Sequence, residues 1–183
     1  MEALLLNQLE RLNNRLVSGE FSRADLTQLI MFLQHPDGNV VIRVVPLVCG
    51  LSRDEILGIL RCYPALPTLT KYALLPFFVG MEFHEPYKLI LDELLVETNE
   101  KLVTFMINCL GRAEYPILTL LIQYLNVDDF FLLHRYKLVL KTMGFERIRP
   151  FLLALPILPY EQVFRDVFGD EAIDELRRGV SRK

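Results

Sequence analysis

The sequence predicts an all-α fold, a short row of four to five antiparallel helix pairs. Three observations predict it. Apolar residues recur at i, i+3, i+4 and i+7 through nearly all of the 183 residues, the spacing that builds one face of a helix. Alternating β-branched runs are scarce, and the pair Asp37-Gly38 falls in a turn between helical runs. Finally, Gly50, Gly80, Gly111 and Gly144 follow one another at 30, 31 and 33 residues, each after a helical run, which is the mark of a structural repeat.

Each element can be justified in order. A leading helix spans about 2–17. Ser22 precedes a helical run at about 22–34, whose partner ends at Gly50. Ser52, with Glu55 three residues on, fits a capping box for a helix over 52–63; its partner ends at Gly80. Runs at 84–97 with 101–111, and at 114–125 with 134–144, repeat the scheme. Asn126 or Asp128 is the candidate cap of the last. A helix over 145–155 follows. Pro159 stands near the first turn of a closing pair over 159–178, beside Tyr160 and Glu161. The repeat units are thus 22–51, 52–82, 83–112 and 113–144, with closing helices over 145–178, all in one domain, 1–183.

The four glycines are read as helix stops, where a residue without a Cβ enters the left-handed conformation freely. Aligning the chain on them brings apolar residues into register. Eight, five, four and one residues before each glycine stand Ile42, Val45, Pro46 and Cys49; Tyr72, Leu75, Pro76 and Val79; Val103, Met106, Ile107 and Leu110; Tyr136, Val139, Leu140 and Met143. Each set is one stripe of a helix. Val44, Leu74, Phe105 and Leu138, six before, widen it. A single helix pair cannot bury such faces, whereas stacked pairs share a continuous core. Pro46 and Pro76 either kink the second helix of their units or end it, since proline has no N–H to donate.

Composition narrows the function. The chain is 52% hydrophobic with mean hydropathy +0.29. Its longest uncharged run, between Tyr115 and Val127, is shorter than the roughly 20 residues a spanning helix needs. The start carries Glu2 and no signal-peptide cleavage site. Cys49, Cys62 and Cys109 stand in apolar surroundings without CxxC spacing and are read as reduced core thiols, so the expected compartment is the cytoplasm. A net charge of −3 and a pI near 5.7 disfavour general nucleic-acid binding.

No phosphate loop, dinucleotide fingerprint, HExxH or GxSxG motif is present. His35, His84 and His134 fall in different units, and no metal site is expected. Asp128-Asp129 is a conceivable catalytic pair, with helix capping the stronger reading.

The stretch "LQHPDGNVVIRVVPLVCGL", Leu33 to Leu51, resembles the second-helix segment of a HEAT repeat. His35 to Val40 match its turn and Cys49-Gly50 its end, while Val41 stands where that family places an arginine and Arg43 comes two residues later. The short period also resembles HEAT-like repeats of the phycobilin-lyase type. The resemblance implies a right-handed α-solenoid whose second helices line a concave side.

One charge pattern bears on function. The runs 40–50, 70–80, 101–111 and 134–144 hold no Asp or Glu. They hold Arg43, Lys71, Lys101, Arg135, Lys137 and Lys141, a charge of +6 that leaves −9 for the rest. With the solenoid reading, these six cations line a positive groove for an acidic or mixed-surface protein partner, aided by Phe77, Phe78 or Phe130. The expected function is a non-enzymatic adaptor or scaffold with no cofactor. The alternative implied by the resemblance is a phycobilin lyase or tetrapyrrole chaperone, its cations holding the propionates of a bilin. A HEAT-like DNA glycosylase fits least, with no Trp and a low pI. A homodimer stays open.

Overall fold

The computed structural model describes residues 2–113, 117–125, 129–154 and 160–180. Among them it is all-helical, with twelve α-helices, short 3-10 segments and no strand. The chain divides into two compact units, Met1–Phe78 and Val79–Lys183.

The first unit holds α1 (Glu2–Ser18), α2 (Arg23–Leu33), α3 (Gly38–Val44), α4 (Arg53–Cys62) and α5 (Thr68–Phe78). Ser22 caps α2 in a full capping box: its hydroxyl accepts from the Asp25 N–H, and the Asp25 carboxylate accepts from the Ser22 N–H at 2.8 Å. Arg15 of α1 donates to the same carboxylate at 2.7 Å, tying α1 to α2. Ser52 and Glu55 cap α4 in the same way. The start of α5 is tied to the end of α2 by the buried Thr70 hydroxyl, which donates to the Leu33 carbonyl at 2.7 Å. Helix α2 packs on α3 and α4, and α3 packs on α5.

The two prolines behave differently. Helix α3 ends at Val44 and the chain tightens into a 3-10 segment, Val45–Gly50, with Pro46 in its first turn. Pro76 stays inside α5, two residues before its end, on an exposed position.

Those prolines also correct the register of the stripe. In α3 and the segment after it the buried stripe is Val41, Val44, Val45 and Val48, with Val40 buried beside it; in α5 it is Lys71, Leu74, Leu75 and Phe78, with Thr70 buried beside it. Both lie one residue earlier than the glycine alignment places them. Ile42, Pro46, Cys49 and Pro76 are therefore exposed. Cys49 is thus a surface thiol rather than a core one, while Cys62 and Cys109 are half-buried.

The second unit holds α6 (Glu85–Val96), α7 (Glu100–Arg112), α8 (Leu118–Leu121), α9 (Phe130–Met143), α10 (Phe145–Ala154), α11 (Glu161–Phe168) and α12 (Asp170–Val180). Asn126, Asp128 and Pro159 lie outside the described residues. Asp129 caps α9, accepting from the Phe131 and Leu132 N–H groups at 2.8 and 3.1 Å. Here the glycine-aligned stripe holds: Val103, Met106, Ile107 and Leu110 of α7 and Tyr136, Val139, Leu140 and Met143 of α9 are all buried. Burying each such side chain contributes roughly 1.5–3 kcal/mol.

The most extensive helix contact in this unit joins α7 and α9. Glu100 at the start of α7 meets Arg135, in the second turn of α9, at 3.0 Å. Near their last turns Gly111 abuts Thr142. The two helices therefore lie side by side and run in the same direction. Helix α9 also touches α6, α10 and α11, and α12 packs on α10 and α11.

Of the four repeating glycines only Gly144 acts as a positive-φ stop, with φ 80°. Gly50 and Gly111 mark close approach instead. A Cβ on Gly50 would stand 2.8 Å from Leu16 Cδ2, and one on Gly111 would stand 2.5 Å from Thr142 Cβ.

Candidate functional site

The six cations divide by their place around the helix. A helix turns by about 100° per residue. Counted from the first buried residue of each stripe (41, 71, 103 and 136), Arg43 lies about 200° round, Lys101 about 160° and Lys141 about 140°. These three stand on the face opposite the core, and all are exposed. None has a carboxylate partner among the described residues.

The other three are engaged. Lys71 occupies the first position of its stripe, so it is only 7% exposed, with its ammonium 5.6 Å from the centre of the Tyr63 ring. It is not a groove-lining residue, because the one-residue shift turns it inward. Arg135 is 18% exposed and holds the end of α6: its guanidinium donates to the Leu94 carbonyl at 2.7 Å, the Glu97 carbonyl at 3.0 Å and the Glu100 carboxylate. Lys137 pairs with Asp166 of α11 at 2.7 Å, and this bond holds the Asp166 carboxyl below its usual range.

Two cations that sequence reasoning passed over join the exposed set. Arg112, the last residue of α7, is exposed, and Arg147 of α10 donates to the Gly111 carbonyl at 2.7 Å. With Lys141 they bracket the contact between Gly111 and Thr142. For Arg112 the signal that could have found it is the helix end itself, where cations complement unpaired carbonyls; Arg147 stands in the first turn of α10, where no such signal marks it. The acid-free run 101–111 ends at its glycine, one residue short of Arg112.

The aromatic residues also divide. Phe78 is fully buried against Tyr63, with ring centres 5.5 Å apart, and so offers no contact surface. Phe77 is half-buried. Phe130 is 74% exposed and meets the equally exposed Phe131 edge-on.

In the first unit a cleft of about 600 Å³ lies between α1 and the turn from α2 to α3. Leu5, Leu6 and Val40 form its apolar side; His35, Asp37, Asn39 and Arg43 form its polar side. The Nδ1 atom of His35 accepts from the Asp37 N–H at 3.1 Å, and the Asp37 carboxylate accepts from the Asn39 N–H at 2.9 Å.

His84 lies 3.6 Å from the Glu85 carboxylate at the start of α6, and His134 is exposed on α9. No group of three His, Cys, Asp or Glu among the described residues is placed to hold a metal ion. Asp129 is a helix cap, and the other half of the conceivable pair, Asp128, lies outside the described residues. Among the described residues no helix is long and apolar enough to cross a membrane.

Comparison with protein-family models, curated proteins and solved structures gave no match.

Proposed function

We propose that each unit is a short stretch of right-handed, HEAT-like solenoid, and that the protein is a non-enzymatic adaptor. It holds an acidic protein segment on the outward faces of its second helices. The observation that carries this reading is the exposed set Lys101, Arg112 and Lys141 on α7 and α9, none with a carboxylate partner among the described residues. The parallel course of α7 and α9 supports the solenoid, since successive second helices of stacked repeats run the same way. A surface of exposed cations attracts an acidic chain and accelerates its encounter, an effect that weakens with salt.

Titration with fluorescein-labelled poly-L-glutamate tests it. Wild-type protein binds, and binding weakens as salt rises. The triple substitution Lys101→Gln, Arg112→Gln and Lys141→Gln weakens binding about tenfold, at up to about 1 kcal/mol for each exposed contact, and leaves the unfolding midpoint in place. Equal binding by the triple variant overturns the reading.

A further inference from the structure

We propose that the cleft between α1 and the α2–α3 turn is an anchor site for a peptide segment in which a carboxylate side chain stands beside an apolar one. The inference rests on the adaptor reading and adds to it a specific pocket in the first unit. The cleft's volume of about 600 Å³ lies in the range that holds side chains and small ligands. On its apolar side Leu6 is 39% exposed and Leu5 is half-buried, while Val40 is buried behind them.

Its polar side presents donors. Arg43 has no ion pair among the described residues and offers a planar fork suited to a carboxylate. His35 accepts at Nδ1 from the Asp37 backbone, so its neutral ring carries the proton on Nε2, as a second donor. Asp37 lines the cleft as well, but its Oδ1 accepts from the Asn39 N–H as the cap of α3. The cleft therefore offers apolar contact from α1 and, from Arg43 of α3 and His35 of the turn before it, donors to a ligand's carboxylate.

A peptide fits better than a small free acid. The cleft's volume of about 600 Å³ is that of a site for drug-sized ligands and exceeds that of a small acid. A small acid would leave part of the lining in water. A segment with an apolar residue beside its carboxylate fills both sides.

The test uses the full chain and a short fluorescein-labelled peptide of alternating Glu and Leu, read by fluorescence anisotropy. Saturable binding is expected. It weakens about tenfold with Arg43→Gln, with Leu6→Ser, and with a peptide carrying Gln in place of Glu. Arg43 is exposed, so Arg43→Gln leaves the unfolding midpoint in place and serves as the control for folding, and Leu6→Ser is compared under conditions where its unfolding curve shows it folded. Lys141→Gln leaves this binding intact. If Lys141→Gln and Lys101→Gln weaken the peptide while Arg43→Gln and Leu6→Ser do not, the cleft is wrong and the adaptor reading stands. No binding of the Glu-Leu peptide also overturns the cleft, while poly-L-glutamate still tests the adaptor. If octanoate displaces the peptide at equal affinity, the cleft takes a free acid and the assignment to a peptide fails.

Discussion

Gly111 of α7 lies so close to Thr142 of α9 that a Cβ on the glycine would stand 2.5 Å from the Cβ of the threonine. That distance lets the two helices meet at their last turns. Gly111→Ala brings a better helix former, worth up to about 1 kcal/mol, but it forces a branched side chain and its backbone to move. Overpacking of this kind costs roughly 1–3 kcal/mol, so the variant is expected to lose stability by about 1–2 kcal/mol. Gly50→Ala is the contrast, since the added Cβ meets the end of the flexible Leu16 side chain. It should lose less than Gly111→Ala in urea unfolding. Equal midpoints for Gly111→Ala and wild type would mean that α7 and α9 part without cost.

Thr70 is fully buried, and its hydroxyl donates to the Leu33 carbonyl at 2.7 Å. Thr70→Val keeps the shape but leaves the last carbonyl of α2 without this donor in an apolar setting. The expected loss is about 1–3 kcal/mol. Thr70→Ser keeps the hydroxyl and should lose less. If valine and serine prove equivalent in urea unfolding, the bond does not join α5 to α2 in the way described.

Acid stability should depend on Asp25. The Ser22 hydroxyl, the Ser22 backbone and Arg15 hold its carboxyl below the usual value, against the opposing effect of burial. A carboxyl depressed in the folded state takes up protons more readily when unfolded. Its contribution is thus present above the ordinary value of 3.8 and is lost as pH falls through the lower folded value. Asp166 and Asp174 are depressed too, by Lys137 and by Arg165, and they act in the same direction. Asp25→Asn should therefore flatten part of the fall in unfolding free energy below about pH 4 and leave the rest. A curve parallel to wild type through that range would show that Asp25 is not coupled to folding.

The sequence carried much of this fold in its local chemistry. Ser22 and Ser52 announce their helices because a hydroxyl before a helical run has one strong use, to accept from the first turn. The stripes of α7 and α9 are legible because nothing interrupts them. The stripes of α3 and α5 were displaced by one residue because Pro46 and Pro76 count as apolar in a pattern but sit at the surface. The same slip hid the burial of Lys71 and Phe78 and the exposure of Cys49. Gly111 shows a second limit. A glycine that admits a neighbouring helix and a glycine that ends one look alike in a sequence, and only packing separates them. Charge was legible as a total but not as a surface, since an arginine's partners lie in distant segments. Arg135 meets carbonyls 38 and 41 residues away.

Arg135 and Lys141 share α9 and a charge, and their different surroundings predict opposite phenotypes. Arg135 donates to two carbonyls at the end of α6 and to Glu100, so its geometry matters as well as its charge. Arg135→Lys keeps the charge but loses the fork that reaches several acceptors at once. Hydrogen bonds from charged groups contribute about 1.5–3 kcal/mol each, and a loss of about that size is expected in urea unfolding. Lys141 is exposed on the far side of the stripe. Lys141→Gln should shift stability by less than about 0.5 kcal/mol yet weaken poly-L-glutamate binding. The two readouts separate a cation that builds the unit from one that serves its surface. If Arg135→Lys unfolds like wild type and loses only binding, Arg135 belongs with Lys141 on the partner-facing side. If Lys141→Gln lowers the unfolding midpoint as Arg135→Lys does, its charge is part of the helix end rather than of a docking surface.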